Sequence, residues 1–462
     1  MSKILLISSN TTVEPLPVYP LGLAMVAAAL KEKGHDVKQF DFLYDQLICE
    51  TPMETVITDF DPDFIGISIR NIDNVDSLTI NSNWSLAAIK QLVFDIKKIS
   101  DKPIVIGGPA FSIMPEQIMD YTKADFGIIG EGEKAFPELI DALCQNKKPL
   151  RIIQAKKNQI NGNEFFTPLY EKKMVEYYVD KSGMLNYQTK RGCPHRCNYC
   201  TYPVIEGRVF RKQSPRFVAQ NLKHIKEQFN VDSVFFTDSV FNDQQGHYLE
   251  VAEEMVRQKC DMKWAAYFRP EKISQDELRL LKASGLYAME IGSDAACDTT
   301  LKGINKSFNF ENVVALNESC IKEEIFCAHF FMFGGPGETY DTLKESFNNI
   351  ERLKKCAVFA FSGIRILPGT QLQNIAIDEN IISKENTLLM PAYYISPHVE
   401  KERMEDEIKA AFKRHKSWLF PPIEGQMRMK ALQAFGFKGL LWDMLINFSK
   451  KTENKRRKRI SG

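Results

Sequence analysis

Three cysteines in one short segment constrain the fold of this chain more than any other feature. Cys193, Cys197 and Cys200 have the spacing Cys-x3-Cys-x2-Cys. Gly192 and Pro194 suit a loop that folds tightly around a bound centre. Thiolates are soft ligands, and three of them on one loop favour an iron–sulfur cluster or zinc. A fourth cysteine at ligand spacing is absent, so a four-iron cluster held here would have one iron open to a non-protein ligand.

Two other interpretations of these cysteines remain open. A zinc site of the Cys3His type would use His195, but this histidine lies between the first two cysteines. Structural zinc sites usually take their ligands from two separated pairs. The three thiols could instead be unligated core residues. The seven other cysteines occur singly, which in a chain without an export signal predicts reduced and buried side chains.

The first 145 residues alternate apolar segments of strand length with helical patterns. The predicted strands are Lys3–Ser8, Val37–Phe40, Phe64–Ile69, Ile104–Ile106 and Phe126–Ile129. The predicted helices between them include Leu21–Leu30, Trp84–Ile99 and Ala135–Cys144. Apolar strands separated by helices indicate a parallel sheet that is covered on both faces. Residues 1–145 are therefore predicted to form a doubly wound α/β domain, which binds ligands at the carboxyl ends of its strands.

Small and polar residues follow three of these strands. They are Ser8, Ser9 and Asn10 after the first strand, Gly107 and Gly108 after the fourth, and Gly130 and Gly132 after the fifth. Glycine lets a ligand approach the backbone closely, although it also serves simply to make turns. Three such segments at one edge of the sheet indicate a binding rim.

The rest of the chain divides into three parts. Residues 146–184 are predicted to form a polar linker, and residues 371–462 a helical C-terminal region that ends in a basic tail. Between them, residues 185–370 again alternate strands and helices. The strands predicted for this part are Gly183–Thr189, Ser233–Thr237, Trp264–Phe268, Ala288–Gly292, Phe326–Phe333 and Ala360–Ile366. Six βα repeats indicate a partial (β/α)6 barrel of parallel strands.

The composition excludes several classes of protein. The chain has 462 residues, enough for two or three domains, and its 60 Lys and Arg nearly balance its 59 Asp and Glu. A general nucleic-acid binder would show a strong basic excess, so no nucleic-acid partner is predicted. No segment approaches the roughly 20 apolar residues of a membrane-spanning helix, and the apolar run after Met1 is too short for a signal peptide. A cytoplasmic location is the resulting expectation.

The C-terminal region combines an apolar segment with a basic one. Most residues of 432–448 are apolar, which favours a helix buried against the barrel or, as the alternative, a surface for an acyl chain or a membrane. Residues 450–459 contain seven basic residues and one acidic residue. A solvated tail is the simpler interpretation. The alternative is that the tail binds at the surface of an anionic membrane or to an acidic acyl-carrier protein.

Taken together, these features resemble the radical S-adenosylmethionine (SAM) enzymes. Cys193, Cys197 and Cys200 match the signature of that family at the expected place, after the first strand of a βα barrel. The supporting segments are Met289–Asp294, Phe333–Thr339 and Arg365–Thr370. Because a doubly wound domain precedes the barrel, the chain is similar to the subgroup with an N-terminal cobalamin-binding domain. Residues 192–211 resemble a branch associated with lipid biosynthesis, including ladderane-type gene clusters.

The resemblance implies three cofactors and a mechanism. The cysteines would hold a [4Fe–4S] cluster, and SAM would bind the open iron. One electron from a reductant such as flavodoxin or ferredoxin would cleave SAM to methionine and a 5′-deoxyadenosyl radical. In the subgroup, methylcobalamin often then delivers a methyl group to the substrate radical, while the protein positions the cofactors.

Three functions follow as hypotheses from this mechanism. The leading one is a C-methyltransferase acting on a lipid or another hydrophobic substrate, free or bound to a carrier protein. The second is a radical SAM cyclase or rearrangement enzyme that transfers no methyl group. The third, from another class, is a non-catalytic metal or electron-transfer protein.

The resemblance also assigns roles to individual residues. Tyr199 would lie along the adenine of SAM, and Arg269 suits the SAM carboxylate because a guanidinium forms bidentate pairs. The other SAM positions are Asp238, Ser239 and Asn242 for the amino group, Glu290 and Ser293 for the ribose or amino group, and Gly334 and Gly335 for the nucleoside. The cobalamin rim would comprise Ser8, Ser9, Gly107, Gly108, Gly130 and Gly132.

Three further residues carry expectations of their own. Arg365 either points into the barrel or stabilises its rim, and His329, on an apolar strand, is expected to be a satisfied core histidine. Many cobalamin domains place a histidine beneath cobalt in an Asp-x-His-x2-Gly loop. Here the first histidine is His35, well past that loop. Cobalamin would then bind without a lower histidine ligand, which the glycine-rich rim favours, or it would have been lost from a vestigial domain.

Overall fold

The computed structural model describes residues 1–79, 84–155 and 159–446, which form two large parallel α/β sheets. The strands of the first sheet are β1 (Lys3–Ser8), β2 (Asp36–Asp41), β3 (Phe64–Ser68), β4 (Ile104–Gly107), β5 (Phe126–Ile129) and β6 (Ile152–Gln154). They are arranged in the order β2-β1-β3-β4-β5-β6. The order reverses between β1 and β3, and ligands of doubly wound sheets bind in the crevice at such a point.

Helices cover both faces of the first sheet. Their bounds are Leu21–Glu32, Met53–Phe60, Leu86–Ile99, Pro109–Ile113, Pro115–Thr122 and Gly132–Cys144, with a π-helical segment at Phe42–Ile48. This explains why β1 buries all of its residues except the first. The predicted doubly wound domain is confirmed. The structure adds one strand to it, because β6 lies within the segment 146–184 that the sequence indicated as a linker.

The second sheet is an open, partial barrel of parallel strands. These are β7 (Leu185–Tyr187), β8 (Ser233–Phe236), β9 (Lys263–Phe268), β10 (Leu286–Asp294), β11 (Phe326–Phe333), β12 (Cys356–Ser362) and β13 (Trp418–Leu419). They follow one another in chain order from β7 to β13. Six of them are the predicted (β/α)6 unit, and β13 is contributed by the C-terminal region. The predicted strand Ala360–Ile366 begins earlier, at Cys356, because the residues from Cys356 to Val358 are also apolar and buried.

The helices of the second domain and of the C-terminal region pack around this sheet. Their bounds are Lys172–Ser182, Tyr202–Ile205, Pro215–Phe229, His247–Arg257, Gln275–Ala283, Asp298–Gly303, Phe310–Lys322, Tyr340–Ile350, Gln371–Asp378, Lys401–Phe412 and Ile423–Ala434. None of the helices in the described part of the chain combines the length and apolar composition that crossing a bilayer requires.

The apolar segment predicted at 432–448 divides into two parts. Phe435 and Phe437 are exposed, whereas Leu440, Trp442 and Leu445 are buried in a cluster with the inner face of the second sheet. The second part therefore closes one end of the partial barrel. Residues 447–462, which include the basic tail, lie outside the described residues.

Candidate functional site

A cavity of about 800 Å³ lies between the two sheets. The first domain contributes residues of its carboxyl edge, namely Ser8, Asn10, Gly107, Gly108, Gly130 and Gly132. The second contributes residues from the strands of the partial barrel, including Asn186, Phe235, Tyr267 and Glu290. Most of the predicted rim thus lines one continuous space with the barrel. Ser9 is the exception, because its hydroxyl donates to the carbonyl of Ser68 at 2.9 Å and does not line the cavity.

Two features of the rim fit a large polar cofactor. The Nδ2 of Asn10 is buried without a hydrogen-bond partner in the described residues, so it can donate to a bound molecule. Gly108 has φ of +98°, and a Cβ atom there would lie 2.6 Å from the carbonyl oxygen of Ile69. The rim at this point can be formed only by a residue without a side chain.

Buried ion pairs connect the two domains beside the cavity. The guanidinium of Arg191 lies 2.6 Å from Glu133 and 3.4 Å from Glu131. Arg365 forms a 2.8 Å pair with Asp73 of the first domain, and both side chains are almost fully buried. Removing one partner of such a pair leaves an uncompensated charge, so these contacts fix how the domains face each other. Arg365 therefore serves the interface at the rim.

The cysteine loop follows β7 and is held by backbone contacts. Gly192 has φ of +96°, and a Cβ atom there would lie 2.1 Å from the carbonyl oxygen of Val209. The N–H of Cys193 donates to the carbonyl of Gly207 at 3.0 Å. The hydroxyl of Ser239 donates to the carbonyl of Gly192 at 2.8 Å. The position of the first cysteine is therefore set by the backbone of residues 207–209 and by Ser239, which follows β8.

The three thiols lie close enough together to interact electrostatically. Burial raises the pKa of Cys200 to about 12, and the neighbouring Cys197 and Cys193 add to this effect. The backbone N–H groups of His195 and Tyr202 donate to the sulfurs of Cys193 and Cys200, respectively. Thiols in such surroundings ionise when a metal centre supplies positive charge. N–H donors to sulfur are a regular feature of iron–sulfur sites.

The arrangement does not suit a single metal ion. Within the described residues, no three side chains of His, Cys, Asp or Glu are grouped so that they could hold one ion. A four-iron cluster is larger than an ion and has a ligand at each of its corners, so its cysteines need not converge on one point. The donor set and the loop therefore fit a cluster.

Asp238 belongs to a buried network that supports the start of the cysteine loop. Its carboxylate accepts from the N–H of Thr189 at 2.7 Å and lies 3.6 Å from the ammonium of Lys190. Lys190 also pairs with Asp243 at 3.2 Å and donates to the carbonyl of Phe241 at 2.6 Å. Protein donors thus already contact this carboxylate, and its place at the SAM amino group stays a prediction.

Tyr199 lies in a second network with two residues that the sequence did not single out for a role. Its hydroxyl donates to Asp294 at 3.0 Å, and Lys306 donates to the same hydroxyl at 3.0 Å. Lys306 also forms an ion pair with Asp294 and lies 5.2 Å from the centre of the Tyr199 ring. The tyrosine is held by its polar end, which leaves its predicted place along the adenine untested. Lys306 follows a helix in an unpatterned segment, so no periodic signal indicated it.

Arg269 is engaged by protein groups at the carboxyl end of β9. Its Nε donates to Glu271 at 2.8 Å, and its guanidinium also contacts Ser307. Its backbone N–H donates to the side chain of Asn242 at 2.8 Å, and the Nδ2 of Asn242 donates back to the Arg269 carbonyl at 2.9 Å. Asn242 therefore joins the ends of β8 and β9. The assignments of Arg269 and Asn242 to SAM remain predictions.

Ser293 and Glu290 of β10 face opposite sides of the sheet. Ser293 is fully buried and contacts the Nδ1 of His329 at 2.9 Å, while the Nε2 of this histidine contacts Asn317 at 3.2 Å. Burial lowers the pKa of His329 to about 3, so the ring is a neutral core group. Glu290 instead lines the cavity. Only Glu290 of the two is therefore open to a small molecule from the cavity.

The two glycines after β11 lie in a closely packed turn. The N–H of Gly334 donates to Glu338 at 3.2 Å, and its carbonyl accepts from Ser396 at 2.8 Å. A Cβ atom at Gly335 would lie 3.1 Å from the side chain of Ile364. Protein packing alone accounts for small residues here, so their contact with the nucleoside stays a prediction.

The fold and the site together define a two-domain protein in which a binding rim faces an open parallel barrel with a three-cysteine loop. Comparison with known protein families identifies this class more closely. Residues 10–140 match the B12 binding domain, and residues 187–350 match the radical SAM superfamily. The chain belongs to the radical SAM superfamily and carries a B12-binding domain in front of the barrel. It is a radical SAM enzyme whose cofactors are a [4Fe–4S] cluster, SAM and cobalamin.

Known proteins resemble the chain over most of its length. An uncharacterized methyltransferase of Pyrococcus horikoshii is 24% identical over 412 residues, which are 85% of this chain and 86% of that protein. The tryptophan 2-C-methyltransferase of Streptomyces laurentii is 21% identical over 427 residues, 76% of this chain and 71% of that protein. The structure of TsrM from Kitasatospora setae, a radical SAM methyltransferase with tryptophan and a SAM analogue bound, superposes with a TM-score of 0.84 at 20% identity and covers 99% of this chain and all of that one. This likeness confirms the fold.

We expect Gly108→Val to weaken corrinoid binding without removing the cluster. The valine side chain would displace the backbone at Ile69, and its branched Cβ disfavours a positive φ, so the rim would shift. Corrinoid absorbance of the purified protein should fall by about tenfold or more, while iron per chain stays unchanged. Gly22→Ala is the matched control, because Gly22 lines the same cavity and a Cβ there meets nothing within 4 Å. Equal corrinoid contents in both variants would refute this role of the rim.

Proposed function

We propose that this enzyme is a cobalamin-dependent C-methyltransferase that acts on a lipid or another hydrophobic substrate. The cavity carries this proposal, because one space connects the rim of the B12-binding domain with the interior of the barrel. A methyl group delivered at the rim would therefore face a substrate held in the barrel. The walls contributed by Leu16, Met184, Phe235 and Leu440 are apolar, which favours an apolar substrate.

The chemistry that the bound groups would supply is radical formation from SAM and methyl donation from cobalamin. Overall, the substrate exchanges one C–H bond for a C–CH3 bond. Two molecules of SAM are consumed, one giving 5′-deoxyadenosine and methionine and the other S-adenosylhomocysteine. Two electrons come from a reductant of the flavodoxin or ferredoxin class. The abstracted hydrogen atom leaves in 5′-deoxyadenosine.

The residues of the chain would position and shield this reaction. The cysteine loop would hold the cluster, and the Asp238–Lys190 network supports the start of that loop. Arg191 and Arg365 keep the two domains facing each other. The apolar walls would keep water out of the site, which strengthens the polar contacts made there.

The alternative is a radical SAM cyclase or rearrangement enzyme that transfers no methyl group. The observation in its favour is that, among the residues the structure describes, no histidine lines the rim. His35 lies at the opposite edge of the first sheet, where its Nδ1 accepts from the N–H of Ser2 at 3.4 Å. Cobalamin would therefore have to bind without a histidine beneath cobalt.

The composition of the purified enzyme tests the proposal. Protein prepared without oxygen from cobalamin-fed cells should contain about four iron, four sulfide and one corrinoid per chain. With a substrate it should release both S-adenosylhomocysteine and 5′-deoxyadenosine. The same cluster without corrinoid would favour the alternative, and zinc in place of iron would exclude both functions.

The partners and location of the enzyme follow from the same proposal. A hydrophobic substrate needs a membrane or a carrier protein to deliver it, and Phe435, which precedes the basic tail, is 82% exposed. A peripheral contact of this region with anionic lipid, or a carrier-bound substrate, is therefore proposed. A cytoplasmic location agrees with the reduced state that a low-potential cluster and free cysteines need.

A further inference from the structure

The inner face of the partial barrel is lined by small side chains around one carboxyl group. Tyr267, Glu290, Ala328 and Ala357 are paired in register across the neighbouring strands β9 to β12. Side chains alternate between the two faces of a strand, so these four residues share the inner face. Both alanines are fully buried, so Glu290, which lines the cavity, has apolar side chains beside it on β11 and β12.

Apolar groups form the wall of the cavity at the end that lies within the barrel, which we call the chamber. Phe359 packs against Trp442 with 5.3 Å between ring centres, and Leu440 lines the cavity beside them. Ala265 and Ala288 form the next level of the wall below Tyr267 and Glu290. Glu290 therefore lies among apolar side chains at this end, while polar groups such as Arg70, Asn186 and Thr237 line the same cavity elsewhere.

Glu290 lacks a protein partner in the part of the chain that the structure describes. It is 8% exposed, and it forms no hydrogen bond or ion pair with any described residue. Other acidic residues around the cavity are paired, for example Glu133 with Arg191 and Asp73 with Arg365. A buried carboxyl group without a partner is costly to maintain, which points to a ligand that completes it.

The surroundings indicate the form of the carboxyl group. Burial raises the pKa of Glu290 to about 8, and the titratable groups that face it are the hydroxyls of Tyr267 and Tyr287. Neither tyrosine hydroxyl takes a proton from Glu290 at neutral pH. Because its pKa is raised, the Glu290 carboxyl group is mostly protonated at pH 7 and can donate a hydrogen bond. A cationic ligand would require two charges to be desolvated in the chamber, which is unfavourable.

We propose that Glu290 contacts the substrate and selects it by donating a hydrogen bond to a hydroxyl or carbonyl oxygen on an otherwise apolar molecule. The inference rests on the proposed function, since it takes the chamber as the substrate site. Glu290 would select and position the substrate, while the cofactors would carry out methyl transfer. The substrate class is an uncharged apolar molecule with a polar oxygen at the end that enters the barrel.

Binding of three simple probes tests the proposal on the enzyme with cluster and corrinoid in place. At pH 7, isothermal titration calorimetry should show that 1-octanol binds more tightly than octylamine or octanoate. Glu290→Leu should weaken 1-octanol binding about fivefold, the ratio that corresponds to one hydrogen bond of about 1 kcal/mol. Glu290→Gln should keep the affinity within about twofold, because a neutral amide also donates. Glu250→Leu and Glu250→Gln, at an exposed glutamate on the helix His247–Arg257, are the matched controls.

Several results would overturn the assignment. They are tighter binding of octylamine than of 1-octanol, equal losses in the Leu and Gln variants, an unchanged affinity in Glu290→Leu, and no binding of 1-octanol to the unaltered enzyme. Iron and corrinoid are measured in the same samples. A missing corrinoid would count against the proposed methyl transfer, whatever the probe affinities are. Failure of the proposed function can therefore be told apart from failure of the Glu290 assignment.

Discussion

Cys197→Ser is expected to remove the cluster and abolish SAM cleavage. In the proposed site the loop would supply three thiolates to four irons, so losing one would leave two ligands for a cluster that already has an open iron. Iron per chain should fall below about one tenth of that in the unaltered enzyme, because a serine hydroxyl is a hard and weakly acidic ligand. Cys197 is the suitable position, since it is partly exposed while Cys193 is buried. Loss of iron can then be separated from loss of the fold.

Control variants make this measurement decisive. Cys49 and Cys144 are exposed cysteines outside the loop, and their replacement with serine should leave iron, sulfide and SAM cleavage unchanged. The melting temperature of apo-protein should agree between Cys197→Ser and the unaltered chain. Full iron content in Cys197→Ser, or an equal loss in Cys144→Ser, would contradict the assignment of the cluster to this loop.

The cysteine loop could be predicted because its chemistry is local in sequence. Three soft ligands within one segment indicate a metal centre before any fold is known. The βα alternation was equally visible, since buried parallel strands are continuous apolar runs. Strands β6 and β13 were not predicted, because they have three and two residues and carry too little pattern to be distinguished from a loop.

The roles of single polar residues were harder to predict, because they depend on contacts between distant segments. Asp238 and Ser293 both follow or end a strand, as SAM-binding groups would. The partners that occupy them, Lys190 and His329, approach only when neighbouring strands are in register. Glu290 and Ser293 face opposite sides of β10. The register of this strand shifts between Ile291 and Asp294, which disturbs the alternation from which their faces could be deduced.

Lys190→Met should destabilise the folded enzyme more than any other single change proposed here. Lys190 is 1% exposed and balances the buried carboxylates of Asp238 and Asp243. Removing the ammonium leaves Asp238 without its cation, whereas Asp243 keeps Lys212 at 3.2 Å. Breaking a buried pair in this way costs about 3–5 kcal/mol. The shift is measured as the change in the urea midpoint of unfolding, with the unfolding slope checked for constancy.

A second lysine with two aspartate partners provides the comparison for Lys190. Lys226 lies 2.9 Å from Asp261 and 3.7 Å from Asp232, but both aspartates are exposed to solvent, which screens the pairs. Lys226→Met should therefore change the midpoint far less. Lys190→Met is destabilising because it leaves the Asp238 carboxylate unpaired. Adding Asp238→Asn removes that charge and should restore part of the lost free energy of unfolding. Equal effects of the two lysine variants would mean that the cysteine loop is held by its backbone contacts and not by the buried charges beneath it.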